Sequence, residues 1–230
     1  DGSHRVKVAR CNPRIEANRD LLLGTPGKRK CEGLSEDDKR RSVNRTKATL
    51  YDSIRQIQAD RLLTLTVRDN VEDFEEFRGF VVRFLRACRR LPLRFEYVLV
   101  YERQKRGAWH VHLAIRGFKD VRVLRRLWLS IVRGSGGNID ISKKPAKVHS
   151  LARYLAKYVS KNCDEVGYNK KRYWRSDSIG DPEKVRFYLH AKTVSDALCE
   201  VVEVCMALGI SDPRKALWVS PDASVFICDG

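Results

Sequence analysis

The sequence has no long apolar run, which sets a first limit on the kind of protein it encodes. No segment approaches the roughly 18 consecutive apolar residues that a membrane-spanning helix needs. Apolar residues nevertheless make up 43% of the 230 residues, so the chain can bury a core. The composition therefore predicts a folded protein without a membrane partner.

Cysteine pairs and a nucleotide-binding loop are missing as well. The seven cysteines include no Cys-x-x-Cys pair, and their irregular spacing predicts reduced thiols in a cytosol-like compartment. A structural zinc site on Cys11 and Cys31 would need two further ligands, and no nearby pair supplies them. The run Gly24-Thr-Pro-Gly27-Lys28 has the wrong spacing for a phosphate-binding loop, so no ATPase or helicase is predicted in this chain.

Acidic residues are few beside the basic ones. The chain has 46 Lys and Arg against 29 Asp and Glu, which gives a formal net charge of +17 at pH 7. A surplus of this size is typical of a protein with a polyanionic partner, because each neutralised phosphate releases condensed counterions. Nucleic acid is the first candidate. An anionic membrane surface would attract the same charge, but no membrane partner is expected, because no segment is apolar enough to span a bilayer.

Hydrophobic periodicity predicts an α+β fold. Residues 1–45 show no sustained periodicity and are interpreted as a basic N-terminal arm, and residues 46–230 as one domain. That domain is expected to contain a motif core at 61–161 and a C-terminal extension at 162–230. The pattern predicts helices at 45–59, 71–90, 120–132, 148–161 and 194–208, and strands at 61–67, 94–101, 109–115, 138–141, 185–190 and 224–228. The order from 61 to 141 is β-α-β-β-α-β, the ferredoxin-like split arrangement.

Two histidines alternate on one of the predicted strands. His110 and His112 lie two residues apart, so both imidazoles are on one face and can chelate a divalent cation. Glu102 ends the preceding strand across the Gly107 turn, closer by register than Glu96, and would complete a three-ligand set with open positions for a phosphate oxygen. The pattern also fits two histidines hydrogen-bonded on a half-buried face beside a solvated carboxylate.

The helix predicted at 148–161 carries an unusual face. Tyr154, Lys157, Tyr158 and Lys161 are spaced at i, i+3, i+4 and i+7 and therefore lie on one side. An isolated tyrosine pair at this spacing favours core packing. The interleaved lysines and the upstream histidines favour a functional face instead.

Three stretches together resemble the HUH endonucleases. Leu63-Thr-Leu-Thr-Val-Arg-Asp-Asn70 is similar to their first motif, and Trp109-His-Val-His-Leu113 to their histidine-hydrophobic-histidine motif. Tyr154-Leu-Ala-Lys-Tyr-Val-Ser-Lys161 is similar to their third motif, in the two-tyrosine form seen in single-stranded DNA phage initiators, Helitrons and one class of bacterial transposases. Asn169-Lys-Lys-Arg-Tyr-Trp-Arg-Ser176 is similar to the segment after that motif in phage and plasmid members. The motifs span residues 61–161, under half of the chain.

The resemblance implies a central antiparallel sheet of about five strands flanked by helices, and the function of a rolling-circle replication initiator. It implies that Glu102, His110 and His112 hold Mg²⁺ or Mn²⁺. It further implies site-specific nicking and joining of single-stranded DNA, with initiation and termination of replication by the same protein.

The resemblance also implies a tyrosine nucleophile. Tyr158 or Tyr154 would attack the scissile phosphate and leave a 5′-phosphotyrosine and a free 3′-OH. Lys161 or Lys157 would stabilise the phenolate or the phosphate. Tyr158 is favoured as the first nucleophile, because Tyr-x-x-Lys is the part shared with one-tyrosine relatives.

Two stretches are expected to contact DNA. The first motif supplies Thr64, Thr66, Arg68 and Asn70, and a later cluster of bases and aromatics supplies Lys170, Lys171, Arg172, Tyr173, Trp174 and Arg175. The later cluster also fits a basic turn beside a strand. His149 is either a further metal ligand, as in relatives with three histidines, or a polar contact at a helix start. Arg86, Arg89 and Arg90 fit the solvated face of their helix.

The expected partners are single-stranded DNA or a stem-loop at a replication origin, together with a host helicase and polymerase. The cytoplasm of a prokaryotic host is the expected location, and the sequence leaves the oligomeric state undetermined. Two alternatives remain at this point. One is a transposase or mobilisation relaxase with the same chemistry, and the other is a non-catalytic nucleic-acid-binding module of the same fold.

Overall fold

A computed structural model describes most of the chain. The described residues are 5–9, 36–90, 94–142, 146–161, 171–181, 191, 193–210, 217–219 and 225–229. The chain divides into two compact units, one of residues 33–182 and one that combines residues 1–32 with 183–230. The boundary predicted at residue 45 falls inside a helix of the first unit.

The unit of residues 33–182 contains four helices and five strands among its described residues. In chain order they are α1 (Glu36–Gln56), β2 (Arg61–Val67), α2 (Phe74–Arg90), β3 (Tyr97–Arg103), β4 (Trp109–Ile115), α3 (Val121–Val132), β5 (Gly137–Ile141), α4 (Val148–Lys161) and β6 (Trp174–Arg175). The other unit contains β1 (Arg5–Ala9), α5 (Val194–Ala207), β7 (Leu217–Val219) and β8 (Val225–Asp229). The predicted α+β class is confirmed.

The five strands of the larger unit form one antiparallel sheet, as the resemblance implied. Their order is β5-β2-β4-β3-β6, so β2 and β4 pair although α2 and β3 lie between them in the chain. Thr64 pairs with His112 and Thr66 with His110 in the β2–β4 register. On the other side of β4, Glu102 pairs with His110.

Helices cover both faces of this sheet. One face packs against α2 and α3 through side chains that include Leu65, Val111 and Trp128. The other face packs against α1 and α4, where Val100 and Leu155 are fully buried. Because side chains alternate along a strand, the predicted metal ligands and the two β2 threonines lie on the α1/α4 face.

Several elements differ from the prediction. Helix α1 begins at Glu36 rather than Arg45, because an acidic first turn and three (i, i+3) ion pairs support a start that has no apolar stripe. Strand β3 begins at Tyr97 rather than Arg94 and extends through Glu102. Strand β1 lies in the stretch predicted as an arm, and β6 was not predicted as a strand.

The smaller unit contains a three-stranded antiparallel sheet of order β1-β8-β7 and the helix α5. The helix begins with a capping box, in which Thr193 and Asp196 satisfy each other's backbone N–H groups. The strand predicted at 185–190 lies outside the described residues. In the part of the chain that the structure describes, no helix combines the length and the apolar character needed to cross a bilayer.

Candidate active site

The β3–β4 hairpin brings the acidic and imidazole groups together. Gly107 has φ +90°, a conformation that favours glycine, and the Gln104 N–H donates to the Ala108 carbonyl oxygen across the turn at 2.9 Å. In the resulting register Glu102 lies beside His110, and its Oε2 is 3.0 Å from Nε2 of His112. The predicted choice of Glu102 over Glu96 agrees with this geometry, because Glu96 is exposed and accepts a hydrogen bond from Ser178 instead.

Both ring nitrogens of His112 have partners. Nδ1 lies 3.1 Å from Oγ1 of Thr64, its register neighbour on β2, and Nε2 faces Glu102. Only 6% of His112 is exposed. A hydroxyl can donate or accept, so Thr64 can pair with Nδ1 in either tautomer of the ring.

His110 is half-buried next to these groups. Burial, followed by the neighbouring His112, lowers the pKa of His110 from its usual value to about 4, although Glu102 acts in the opposite direction. The ring is therefore neutral at neutral pH. A neutral imidazole is the form that can bind a cation.

Helix α4 places two phenols against His112. Its buried side, which includes Leu151, Leu155 and Val159, packs on the sheet. The Tyr158 ring is stacked on the His112 ring with centroids 4.7 Å apart, and the Tyr154 ring meets it edge-on at 6.0 Å.

The two phenols are also joined to each other. The Tyr158 hydroxyl donates to the Tyr154 hydroxyl oxygen at 2.7 Å. Burial raises the pKa of Tyr158, and hydrogen bonding to Tyr154 and the nearby Glu102 carboxylate raise it further. Attack by Tyr158 would therefore require a group that accepts its proton or stabilises the phenolate.

The donor set fits a divalent cation in part. The 3.0 Å between Glu102 Oε2 and His112 Nε2 equals the separation expected for adjacent ligands of an octahedral ion, about 3.0 Å for bonds of about 2.1 Å. Thr64 on the far nitrogen supplies the outer contact that ligating histidines usually have. Among the described residues, no three His, Cys, Asp or Glu side chains are already grouped as metal ligands. His110 would have to join the pair formed by Glu102 and His112.

Three further predicted residues lie on α4. Lys157 is exposed, and the Lys161 side chain lies outside the described residues. His149, at the start of the helix, forms a close hydrogen-bonded contact with the Tyr51 hydroxyl of α1. That contact agrees with the interpretation of His149 as a polar group at a helix start.

The first-motif residues lie on and beside the site. Thr66 is opposite His110 and donates to the Asn138 carbonyl oxygen at 3.3 Å. Arg68 is exposed where β2 ends, and Asn70 donates to Glu72 at 2.5 Å. Their predicted contacts with DNA stay a prediction.

The later basic cluster is largely engaged within the fold. Trp174 packs edge-on against Tyr101 at 4.8 Å, and Arg175 donates to the Ser53 hydroxyl at 3.1 Å. Tyr173 packs against the α1/α4 side of the sheet, where burial raises the pKa of its hydroxyl.

The other described members of the later basic cluster differ in how exposed they are. Lys171 is exposed, and Lys170 lies outside the described residues. Arg172 is 6% exposed, and its buried Nη1 and Nη2 have no hydrogen-bond partner among the residues that the structure describes.

The sequence did not indicate the contacts that hold the β3–β4 hairpin against the end of β2. Arg106, in the β3–β4 turn, donates to the carbonyl oxygens of Val67 and Arg68 at 3.1 and 3.0 Å, and so ties the turn to the end of β2. Trp109 adds a second tie through its indole N–H, which donates to the Glu72 carbonyl oxygen at 2.9 Å. A lone arginine beside a turn glycine gave no signal of this role.

Comparison with known proteins finds similarity to a protein family in the same part of the chain. Residues 60–163 match the family model of the replication-associated protein ORF2/G2P. The chain has no significant match among curated proteins or among solved structures. The segment that contains Glu102, His112 and Tyr158 is thus similar to a family of replication-associated proteins.

Proposed function

We propose that the protein starts DNA replication by nicking single-stranded DNA with a tyrosine. The observation that carries the proposal is the grouping of Tyr158, Tyr154, His112 and Glu102 on one side of the sheet, with Tyr158 stacked on His112. A metal-ligand pair in contact with two phenols provides both a phosphate-activating site and a nucleophile. The similarity to replication-associated proteins supports the biological role.

Glu102, His110 and His112 would hold Mg²⁺ or Mn²⁺. The bound cation would stabilise the charge that develops on the scissile phosphate. Thr64 would keep His112 in the tautomer whose Nε2 lone pair is available, by accepting a hydrogen bond from the Nδ1–H group.

The Tyr158 phenolic oxygen would attack phosphorus as the bond from phosphorus to O3′ breaks. The phenolic proton passes to the Glu102 carboxylate, or to the Tyr154 hydroxyl as that group releases its own proton to solvent, and the departing O3′ takes up a proton from solvent. The products are a 5′-phosphotyrosine and a free 3′-OH. The phosphotyrosine conserves the bond energy, so a later 3′-OH can displace the tyrosine and rejoin the strand.

The substrate would be a single strand or a stem-loop at a replication origin. Thr66, Arg68 and Lys171 would contact it, and Lys157 would stabilise the phosphate from the exposed side of α4. Strand separation and synthesis would depend on a host helicase and polymerase.

A covalent-adduct assay tests the proposal. The protein is incubated with end-labelled single-stranded oligonucleotides that tile the native replicon, with Mn²⁺, Mg²⁺ or EDTA, and is resolved by denaturing electrophoresis. We expect the labelled DNA to migrate with the protein when Mn²⁺ or Mg²⁺ is present and not when EDTA is present. The double substitution of Tyr154 and Tyr158 by Phe should abolish the adduct and preserve DNA affinity.

The control tests whether loss of a phenol elsewhere has the same effect. Tyr97→Phe removes a phenol from the α2/α3 face of the sheet and should leave adduct formation unchanged. Specific DNA binding without any adduct in either metal would instead identify a non-catalytic module. An adduct that persists in the double variant would show that another residue is the nucleophile.

A further inference from the structure

The helices on the other face of the sheet carry an unusual set of charges. Beyond the first turn of α2, every charged residue of α2 and α3 is an arginine. The two helices pack side by side, with the Phe84 and Trp128 rings 5.7 Å apart. They form one surface, on the side of the sheet away from Tyr158.

Some of these arginines form ion pairs or hydrogen bonds with other residues of the fold. The engaged members are Arg78, Arg89, Arg122 and Arg125, which contact Glu75, Asp177, Asp120 and the Ile139 carbonyl oxygen. Arg83, Arg86, Arg90 and Arg126 are exposed, and none of them has an ion pair with a described residue. We call these four residues the arginine surface.

Stability of the helices does not account for the arginine surface. A cation in the last turn interacts favourably with the helix dipole, which explains Arg90. Arg83, Arg86 and Arg126 lie away from the last turns. Like charges on adjacent helices repel one another, so their clustering lowers stability unless an anionic partner compensates.

We propose that the arginine surface binds the phosphate backbone of duplex DNA. Arg83 and Arg90 are separated by a helical rise of about 10 Å, and one strand of a duplex presents a phosphate about every 3.4 Å along its axis. A stripe of arginines along one helix can therefore reach several phosphates, and each guanidinium can bind a phosphate through two N–H groups.

The lack of exposed aromatic rings within α2 and α3 favours a duplex over a single strand as the ligand of the arginine surface. Proteins that bind single strands add aromatic rings on which bases stack. Within α2 and α3, both described throughout, no aromatic residue is exposed; Phe80 is half-buried and has the Arg83 guanidinium 5.0 Å above its ring. The exposed apolar residues are Val123 and Leu129, which cannot stack on bases.

This inference goes beyond nicking and does not depend on it. The protein would hold intact duplex on one side of the sheet while the single strand reaches the tyrosines on the other. Duplex affinity is measured without any cleavage, so either activity can fail while the other is retained.

Fluorescence anisotropy with a labelled 30-base-pair duplex and a labelled unstructured oligonucleotide tests the proposal. The triple substitution of Arg83, Arg86 and Arg126 by Gln should weaken duplex binding by about tenfold or more at about 0.1 M salt. The slope of log K against log salt should become shallower by about 0.9 for each phosphate that is no longer neutralised, or about 2.7 for three. Single-strand affinity should change by less than about twofold, since the tyrosine face is intact.

A matched variant removes the same charge elsewhere. Arg45 is exposed and Lys47 is partly exposed on α1, and Arg116 is exposed just after β4. Substitution of these three residues by Gln should leave the duplex slope unchanged. Circular dichroism and thermal melting establish that both triple variants are folded.

Three outcomes would overturn the proposal. The first is an equal loss of duplex binding in both triple variants, which would make the effect one of net charge. The second is unchanged duplex binding in the folded Arg83, Arg86 and Arg126 variant. The third is loss of binding to phosphatidylserine vesicles with duplex affinity retained, which would assign the surface to an anionic membrane.

Discussion

The ring of Tyr158 lies on the imidazole of His112, with the two planes 18° apart and the centroids at 4.7 Å. The nucleophile that we propose is therefore in contact with a ligand of the metal that would activate its target. Tyr154 contacts the same imidazole at its edge, so both phenols can approach one phosphate.

The two tyrosines are expected to contribute unequally. Tyr158→Phe should remove the adduct on residue 158 and leave only the slower reaction of Tyr154. Tyr154→Phe removes the acceptor of the Tyr158 hydrogen bond and should slow adduct formation by about 10²-fold, the lower range for lost proton transfer. Mass spectrometry of the trapped peptide identifies the attacking residue. DNA found only on Tyr154 in the unsubstituted protein would reverse the order proposed for the pair.

Thr64 is expected to strengthen metal binding indirectly, by orienting the His112 ring. Thr64→Val keeps the shape of the side chain and removes the hydroxyl that lies 3.1 Å from Nδ1. Loss of such an outer contact should weaken Mn²⁺ binding by about 10- to 100-fold in titration calorimetry. Thr66→Val is the matched control, because Thr66 bonds to the Asn138 carbonyl and not to a histidine. Equal effects of the two substitutions would mean that Thr64 has no specific role.

Gly137 is expected to be required for the close packing of α3 against the sheet. A Cβ at this position would lie 2.9 Å from the Thr66 carbonyl oxygen and 2.7 Å from the Trp128 indole nitrogen, which donates to that oxygen. Gly137→Ala should therefore lower the free energy of unfolding by about 1–3 kcal/mol in urea titrations. Gly134→Ala, where a Cβ meets nothing within 4 Å, should change it much less. Equal stabilities for the two variants would contradict the close approach.

The thiols are expected to differ in their pH dependence. Burial raises the pKa of Cys88 to about 12, whereas Cys199 is exposed. Because the thiolate is the reactive form, folded Cys88 should resist iodoacetamide at pH 8 and gain reactivity only as the pH approaches that pKa. Peptide mapping of alkylated protein should show Cys199 modified before Cys88. Rapid labelling of Cys88 at pH 8 would mean that its surroundings are open.

Local patterns predicted much of the candidate site. Period-2 alternation placed His110 and His112 on one face, and the short Gly107 turn brought Glu102 to them, as the structure shows. The hydrogen bond between Thr64 and His112 was not predicted, because it depends on pairing of two strands that are not consecutive. Hydrophobic spacing alone does not determine strand order.

The fold was predictable where apolar spacing decides the structure. The ends of β4 and α4 agree with the prediction, since each has a regular apolar pattern. The first turns of α1 have no such pattern and depend on ion pairs between neighbouring charged residues, including Asp37 with Arg40 at 3.1 Å. The contact between Tyr51 and His149 joins residues that are 98 positions apart, and no local signal reports it.

The β3–β4 hairpin has a consequence for how the site is assembled during folding. Glu102, His110 and His112 lie on one hairpin and are set in register by local contacts, which form early because they close only a short loop. The phenols of Tyr154 and Tyr158 lie on helix α4, which starts at Val148. This helix must pack onto the sheet before the phenols can reach the hairpin residues. A chain in which α4 has not yet docked would contain the metal donors without a nucleophile. The order of folding would thus keep a partly folded molecule from cutting DNA.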